Sequence, residues 1–271
     1  MKPFINAVRA EITKLMSLRT TIVYVILFWL LVPTFMLLGY FAFATTKNPT
    51  FTIDFENLMR FVSLLTVIAV SQLGNTGAAN ISHGMTAHAF LTQDRRSLWL
   101  KANLLVNLSF AFGLSVLSIL TCIGLGAVLP RASLQLDDTY HIPSAVLTLL
   151  FYGIFAYVVG IVLRNRTAAV VVPLACVMVV SPILTLFSRM VPTFNWITYF
   201  DPATMIDQIK DVLTPNAKYG MPTTGLPSVG FGGGDLRPVW FNVTVLIVMI
   251  VAMLVFAFWA NSRRDAKQSN G

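Results

Sequence analysis

An all-α integral membrane protein with six transmembrane helices is the fold class this sequence predicts, and three observations predict it. Of 271 residues, 56% are hydrophobic and only 11% are charged, whereas a soluble domain carries about 25% charged residues. Six stretches contain no Asp, Glu, Lys, Arg or His: 20–44, 61–81, 102–129, 142–163, 167–186 and 239–260. A bilayer core of about 30 Å takes about 20 apolar residues in a helix. The runs are also continuous, unlike the short alternating segments of a membrane barrel. Helices follow, because backbone groups in lipid must be paired within their own segment. Residues 1–271 read as one transmembrane domain, with no internal repeat.

Residues 1–19 precede the first span as an amphipathic leader. On a helical wheel Phe4, Ile5, Val8, Ile12, Leu15 and Met16 share one arc, with Asn6, Arg9, Thr13, Lys14 and Ser17 mostly opposite. Such a helix lies along a membrane surface. Ala42-Phe43-Ala44 has the form of a signal-peptidase site, but the 25-residue apolar run before it is too long for a signal core. The first span is therefore read as retained.

The second span changes character along its length. Gln72, Asn75, Thr76 and Asn80 recur every three or four residues in its inner half, followed by His83, with Gly74, Gly77, Ala78 and Ala79 keeping that half slim. One reading makes the four polar residues a substrate path lining a cavity. The other makes them interhelical hydrogen-bonding groups on a closely packed helix. Residues 82–101, "SHGMTAHAFLTQDRRSLWLK", then return to water. Pro33, Pro173 and Pro182 fall inside spans and are expected to kink them. Between the fifth and sixth spans, residues 187–238 contain Asp201-Pro202, a helix-start signal, and an apolar stripe of Met205, Ile206, Ile209 and Leu213. A short outer helix is expected there, lying flat or re-entrant, ahead of a Gly- and Pro-rich loop. Cys122 and Cys176 sit at different depths and are expected as free thiols.

Charge sets the orientation. The leader, the 82–101 connection, the Arg164-Asn165-Arg166 turn and the C-terminus hold twelve Lys and Arg against three acids. The other side holds seven against eight. By the positive-inside rule both termini are cytoplasmic, in a plasma (inner) membrane crossed six times. The basic balance then reflects anionic headgroups, and no nucleic-acid motif is present.

The chemistry of an engine is missing. All eleven acids and all three His map outside the spans or at their edges, whereas ion-coupled carriers keep an ionisable group at membrane depth. No phosphate loop, zinc-protease motif or nucleophile–base pair is evident. The sequence therefore reads as no enzyme, with no metal or cofactor of its own.

The order of leader, spans and cytoplasmic insertion resembles the membrane subunit of type-2 ATP-binding-cassette (ABC) exporters. "RAEITKLMSLRTT" is similar to that family's entry, with Glu11, Lys14, Ser17, Arg19 and Thr20 at the matching positions. "HGMTAHAFLTQDRRSLWLKA" resembles the coupling segment between its second and third spans, with Gly84, Arg95, Arg96 and Lys101 in place. "YFDPATMIDQI" resembles its short outer helix. The chain departs from the family where a Glu commonly precedes the insertion's Gly: Asn80, Ser82 and His83 stand there. The resemblance implies a permease subunit, a homodimer or heterodimer, exporting a drug, lipid, peptide or glycan. It implies cytoplasmic ATPase partners that bind the ATP and Mg, contacted through Glu11, Lys14, His83, Gly84, His88, Arg95 and Arg96. Arg95 and Arg96 equally suit plain anchoring at the membrane surface. A carrier or channel independent of ATP, and a non-transporting immunity or assembly protein, are the alternatives.

Overall fold

The computed structural model describes residues 2–17, 19–44, 51–54, 72–78, 96–129, 132–135, 141–213 and 238–268. The helices are α1 (Lys2–Ser17), α2 (Arg19–Ala44), α3 (Arg96–Val128), α4 (His141–Leu163), α5 (Arg166–Ala175), α6 (Ser181–Met190), α7 (Pro202–Leu213) and α8 (Val239–Gln268). Residues 72–78 are also helical. Among the described residues, four helices are long and apolar enough to cross a bilayer, over Thr21–Phe41, Leu98–Val128, Ile142–Leu163 and Val239–Asn261. The architecture is that of a helical membrane protein. Of the expected second span only 72–78 lies within the described residues.

A departure from the all-α expectation is a small sheet. Strands β1 (Phe51–Asp54) and β2 (Ala132–Gln135) pair in parallel, Phe51 opposite Ala132. They follow the ends of α2 and α3, so these two helices end on one face and run side by side in the same direction. Trp29 Nε1 donates to Thr121 Oγ1 at 2.8 Å between them, and Met36 packs with Ala111, Leu114 and Cys122. Cys122 is buried and Cys176 half-buried, and both are free thiols.

Helix α4 carries the densest packing. Phe151, Tyr152, Ile154, Ala156, Tyr157, Val158 and Ile161 are all buried. Small residues draw its neighbours in. A Cβ at Gly160 would stand 2.5 Å from the Gly74 carbonyl oxygen, and one at Gly74 would collide with the Ala169 carbonyl oxygen. Segment 72–78, α4 and α5 therefore meet backbone to backbone, the close approach that Gly permits between membrane helices. Pro173 has no N–H to offer Ala169, the residue four before it, and it is this same carbonyl that faces Gly74.

The α4–α5 connection is tight. Arg164 adopts φ 53°, a left-handed conformation that costs a non-glycine residue roughly 1–2 kcal/mol. Asn165 caps α5, its Oδ1 accepting from Thr167 N at 2.9 Å and Ala168 N at 3.3 Å.

Residues 166–190 form one helical run of three pieces: ten residues of α5, a five-residue π turn (Cys176–Val180) and ten of α6. The run rises roughly 35 Å and covers the expected fifth span. Ser181 N–H reaches back to Cys176 O, five residues away. Pro173 and Pro182 flank this turn, and missing N–H groups loosen the helical ladder there.

The chain then doubles back. Pro192–Phe200 forms a 3-10 helix packed along α6, and Ser181 Oγ donates to Asp201 Oδ2 at 2.7 Å. Met190 is nine residues past Ser181, so the return covers roughly 13 Å. Asp201 then caps α7, accepting from Thr204 N at 3.3 Å and Thr204 Oγ1 at 2.6 Å. Met205, Ile206 and Ile209 are buried in a cluster with Phe151, Tyr152, Ala156 and Leu246. Helix α7 therefore packs its apolar stripe against α4 and α8. Asp201, only 4% exposed, is buried beside Ser181, five residues before the end of the 167–186 run.

Candidate coupling site

The leader helix has three faces. Ala7, Glu11 and Leu15, one turn apart, are buried, and α1 packs chiefly on α3. Ile5, Ile12 and Met16 project outward, Met16 being 76% exposed. Asn6, Arg9, Thr13 and Ser17 form an exposed polar face. The expected single apolar arc is thus divided: Leu15 faces the protein while Ile5, Ile12 and Met16 face away from it. An interfacial helix with one side docked has this pattern.

Glu11 holds the docked side. Its carboxylate is turned inward, the residue 7% exposed. Trp99 Nε1–H donates to Oε1 at 2.7 Å, and Asn103 Nδ2 donates to Oε2 at 2.7 Å. Lys14 Nζ stands 3.7 Å from Oε2. A buried carboxylate is costly unless its oxygens are hydrogen-bonded, and both oxygens here have donors. Trp99 and Asn103 lie in the first turns of α3, whose N-terminal end favours negative charge.

Around this node four helices converge. Trp99 and Leu100 cluster with Tyr157 and Ile161 of α4, with Phe258 of α8 against them. Tyr157 Oη donates to Leu100 O at 3.2 Å, and Lys101 Nζ lies 5.9 Å from the centre of the Phe258 ring. The leader, the start of α3 and the later parts of α4 and α8 therefore share one face of the molecule. Helix α7 lies toward the opposite ends of α4 and α8, with Gln208 Oε1 accepting from Asn242 Nδ2 at 3.2 Å.

Of the residues expected to contact an ATPase, Glu11 and Lys14 are brought together. Arg96 opens α3. His83, Gly84, His88 and Arg95 lie outside the described residues. Of the substrate-path candidates, Gln72 is buried, while Asn75 and Thr76 are half-buried. Thr76 Oγ1 donates to Leu73 O at 3.0 Å, within its own helix. Asn80 lies outside the described residues.

Sequence reasoning misses Trp99 and the polar stripe above it. Asn103, Asn107, Ser115 and Ser118 of α3 are all buried, on the face that also carries Ala111 and Cys122. Their spacing of three and four residues, allowing for Ala111, is the same signal that marks the second span. Asn107 and Ser115 donate to carbonyls four residues back, at 2.8 and 3.0 Å. Asn103 Oδ1 is buried without a hydrogen-bond partner.

No protein-family model matches this chain, and no curated protein matches it. Its functional reading rests on its own residues.

Proposed function

We propose that this chain is the membrane-spanning permease subunit of an ATP-driven exporter of the type-2 ABC class. In this reading it crosses the plasma membrane six times with both termini in the cytoplasm. It pairs with a second permease copy or a paralogue, and separate ATPase subunits bind the ATP and Mg. The observation that carries the reading is the Glu11 clamp. Residues 82–95 lead directly into α3, and the first turns of α3 hold the leader through Trp99 and Asn103. A push on the insertion is passed at once to the third span and to the leader at the membrane surface. Packed helices that move as rigid bodies transmit such a push into a change of access.

The test is a Gly84→Trp variant and an Arg95→Glu/Arg96→Glu variant, assayed for ATP hydrolysis and for export. The expected result is normal membrane insertion with hydrolysis uncoupled from export. Unchanged ATP-dependent export in both variants overturns the reading.

Asp201 favours a second reading, an ion-coupled carrier independent of ATP, because it is a carboxylate buried among apolar helices, and such groups serve as proton sites in carriers. Its Oδ2, however, already accepts from Ser181 and twice from Thr204, which is the work of a helix cap. Transport abolished by Asp201→Asn in a chain that folds normally would establish the carrier.

A further inference from the structure

We propose that the groove between α4, α5 and α8 is a binding site for one anionic phospholipid, with an acyl chain in the groove and the headgroup at the Arg164-Asn165-Arg166 turn. The groove has a volume of about 420 Å³, suited to a single long acyl chain. Its walls include Phe155, Val159 and Val162 of α4, Val172 of α5, and Ala252 and Phe256 of α8, and no lining residue carries a polar side-chain atom. Val159 and Val162 follow Phe155 at helical spacing, so one face of α4 forms the floor. Phe256 is exposed, as are Val248, Val251 and Val255 on the same helix. The groove opens outward from the bundle.

Charge selects the occupant. The groove reaches Leu163, and the next three residues are Arg164, Asn165 and Arg166. Arg166 is exposed and Arg164 half-exposed. The last turns of α8 add Arg263, Arg264 and Lys267 to the sequence that follows the other wall. An acyl chain fills an apolar channel while its phosphate meets the guanidinium groups, which bind phosphate through paired donors. A second copy of the chain is a poorer occupant. Pairing about a two-fold axis along the membrane normal sets the same patch against itself, which brings like basic turns together. The proposal is independent of what the protein transports.

The experiment uses the purified full-length chain in detergent, with native mass spectrometry and thermal unfolding in the presence of phosphatidylglycerol or phosphatidylcholine. The expected result is one phosphatidylglycerol retained per chain, preferred roughly tenfold or more over phosphatidylcholine, since each Arg near a headgroup adds to anionic selectivity. Arg164→Gln/Arg166→Gln should bring the two lipids level. Ala252→Trp, at an exposed groove position, should abolish retention of both while helix content stays unchanged. Equal retention of the two lipids by the unaltered chain overturns the proposal without recourse to any variant. So does full retention in Ala252→Trp, or a disulfide-linked dimer formed through Ala252→Cys, which would put a second copy in the groove.

Discussion

Glu11 and Trp99 are 88 residues apart in the chain and joined by a 2.7 Å hydrogen bond, the indole donating to a buried carboxylate. This bond, with its neighbour from Asn103, makes the leader helix part of the bundle. Glu11→Gln places an NH2 group against one of two donors and leaves that donor unsatisfied. A loss of about 1–3 kcal/mol is expected, read as a lower unfolding temperature in detergent. Trp99→Phe combined with Glu11→Gln should lose less than the two single losses together, because both remove one bond. Lys14→Ala should cost below about 1 kcal/mol, since that ammonium is partly in solvent.

Gly74 and Gly160 test the backbone-to-backbone packing. Gly160→Ala drives a methyl group to 2.5 Å from the Gly74 carbonyl oxygen, and Gly74→Ala drives one into the Ala169 carbonyl. Each should cost about 1–3 kcal/mol or more by overpacking, seen as poor yield and early unfolding. Gly113→Ala and Gly124→Ala meet nothing within 4 Å. They should be neutral or gain up to about 1 kcal/mol in helix propensity.

Asp201 tests the turn that leads into α7. Asp201→Asn keeps an oxygen to accept from Ser181 and Thr204 and should fold nearly normally. Asp201→Ala removes the cap of α7, at about 1–2 kcal/mol, and also strands the Ser181 hydroxyl. Thermal unfolding of the two variants, together with Ser181→Ala, separates capping from charge. Equal destabilisation by Asn and Ala would show that the carboxylate charge itself matters.

Trp29→Phe removes the bond to Thr121 between α2 and α3. Interhelical hydrogen bonds in membranes average about 0.6 kcal/mol, with a maximum near 1.7. A drop of that size in unfolding free energy is expected, with membrane insertion unchanged.

The apolar runs were legible because span length and uncharged composition are properties of a single segment. Helix α2 begins at Arg19 and α4 at His141, each one residue from the start of its run. Helix α3 begins at Arg96, six residues before its run, because Arg96 and Lys101 can extend a helix beyond the apolar core. The start of α7 was legible from Asp201-Pro202 and its buried side from Met205, Ile206 and Ile209. Its packing was not, since only the contact between Asp201 and Ser181, twenty residues back, reveals the return of the chain along α6. Tertiary contact likewise decides which part of the leader's apolar arc is docked: Glu11 is buried where Trp99 and Asn103 meet its two carboxylate oxygens. The paired strands β1 and β2 escaped the sequence because four-residue segments so far apart carry no periodic signal of their own.

The account stands most directly on whether this chain takes its power from a separate ATPase. The decisive measurement is Mg-ATP hydrolysis by the complex isolated from native membranes through a tag on the full-length chain. The account predicts hydrolysis that co-purifies with the chain and resides in a second, cytoplasmic polypeptide. Vesicles holding the purified chain alone that concentrate a cargo against its gradient, with no ATP-hydrolysing subunit present, would contradict it.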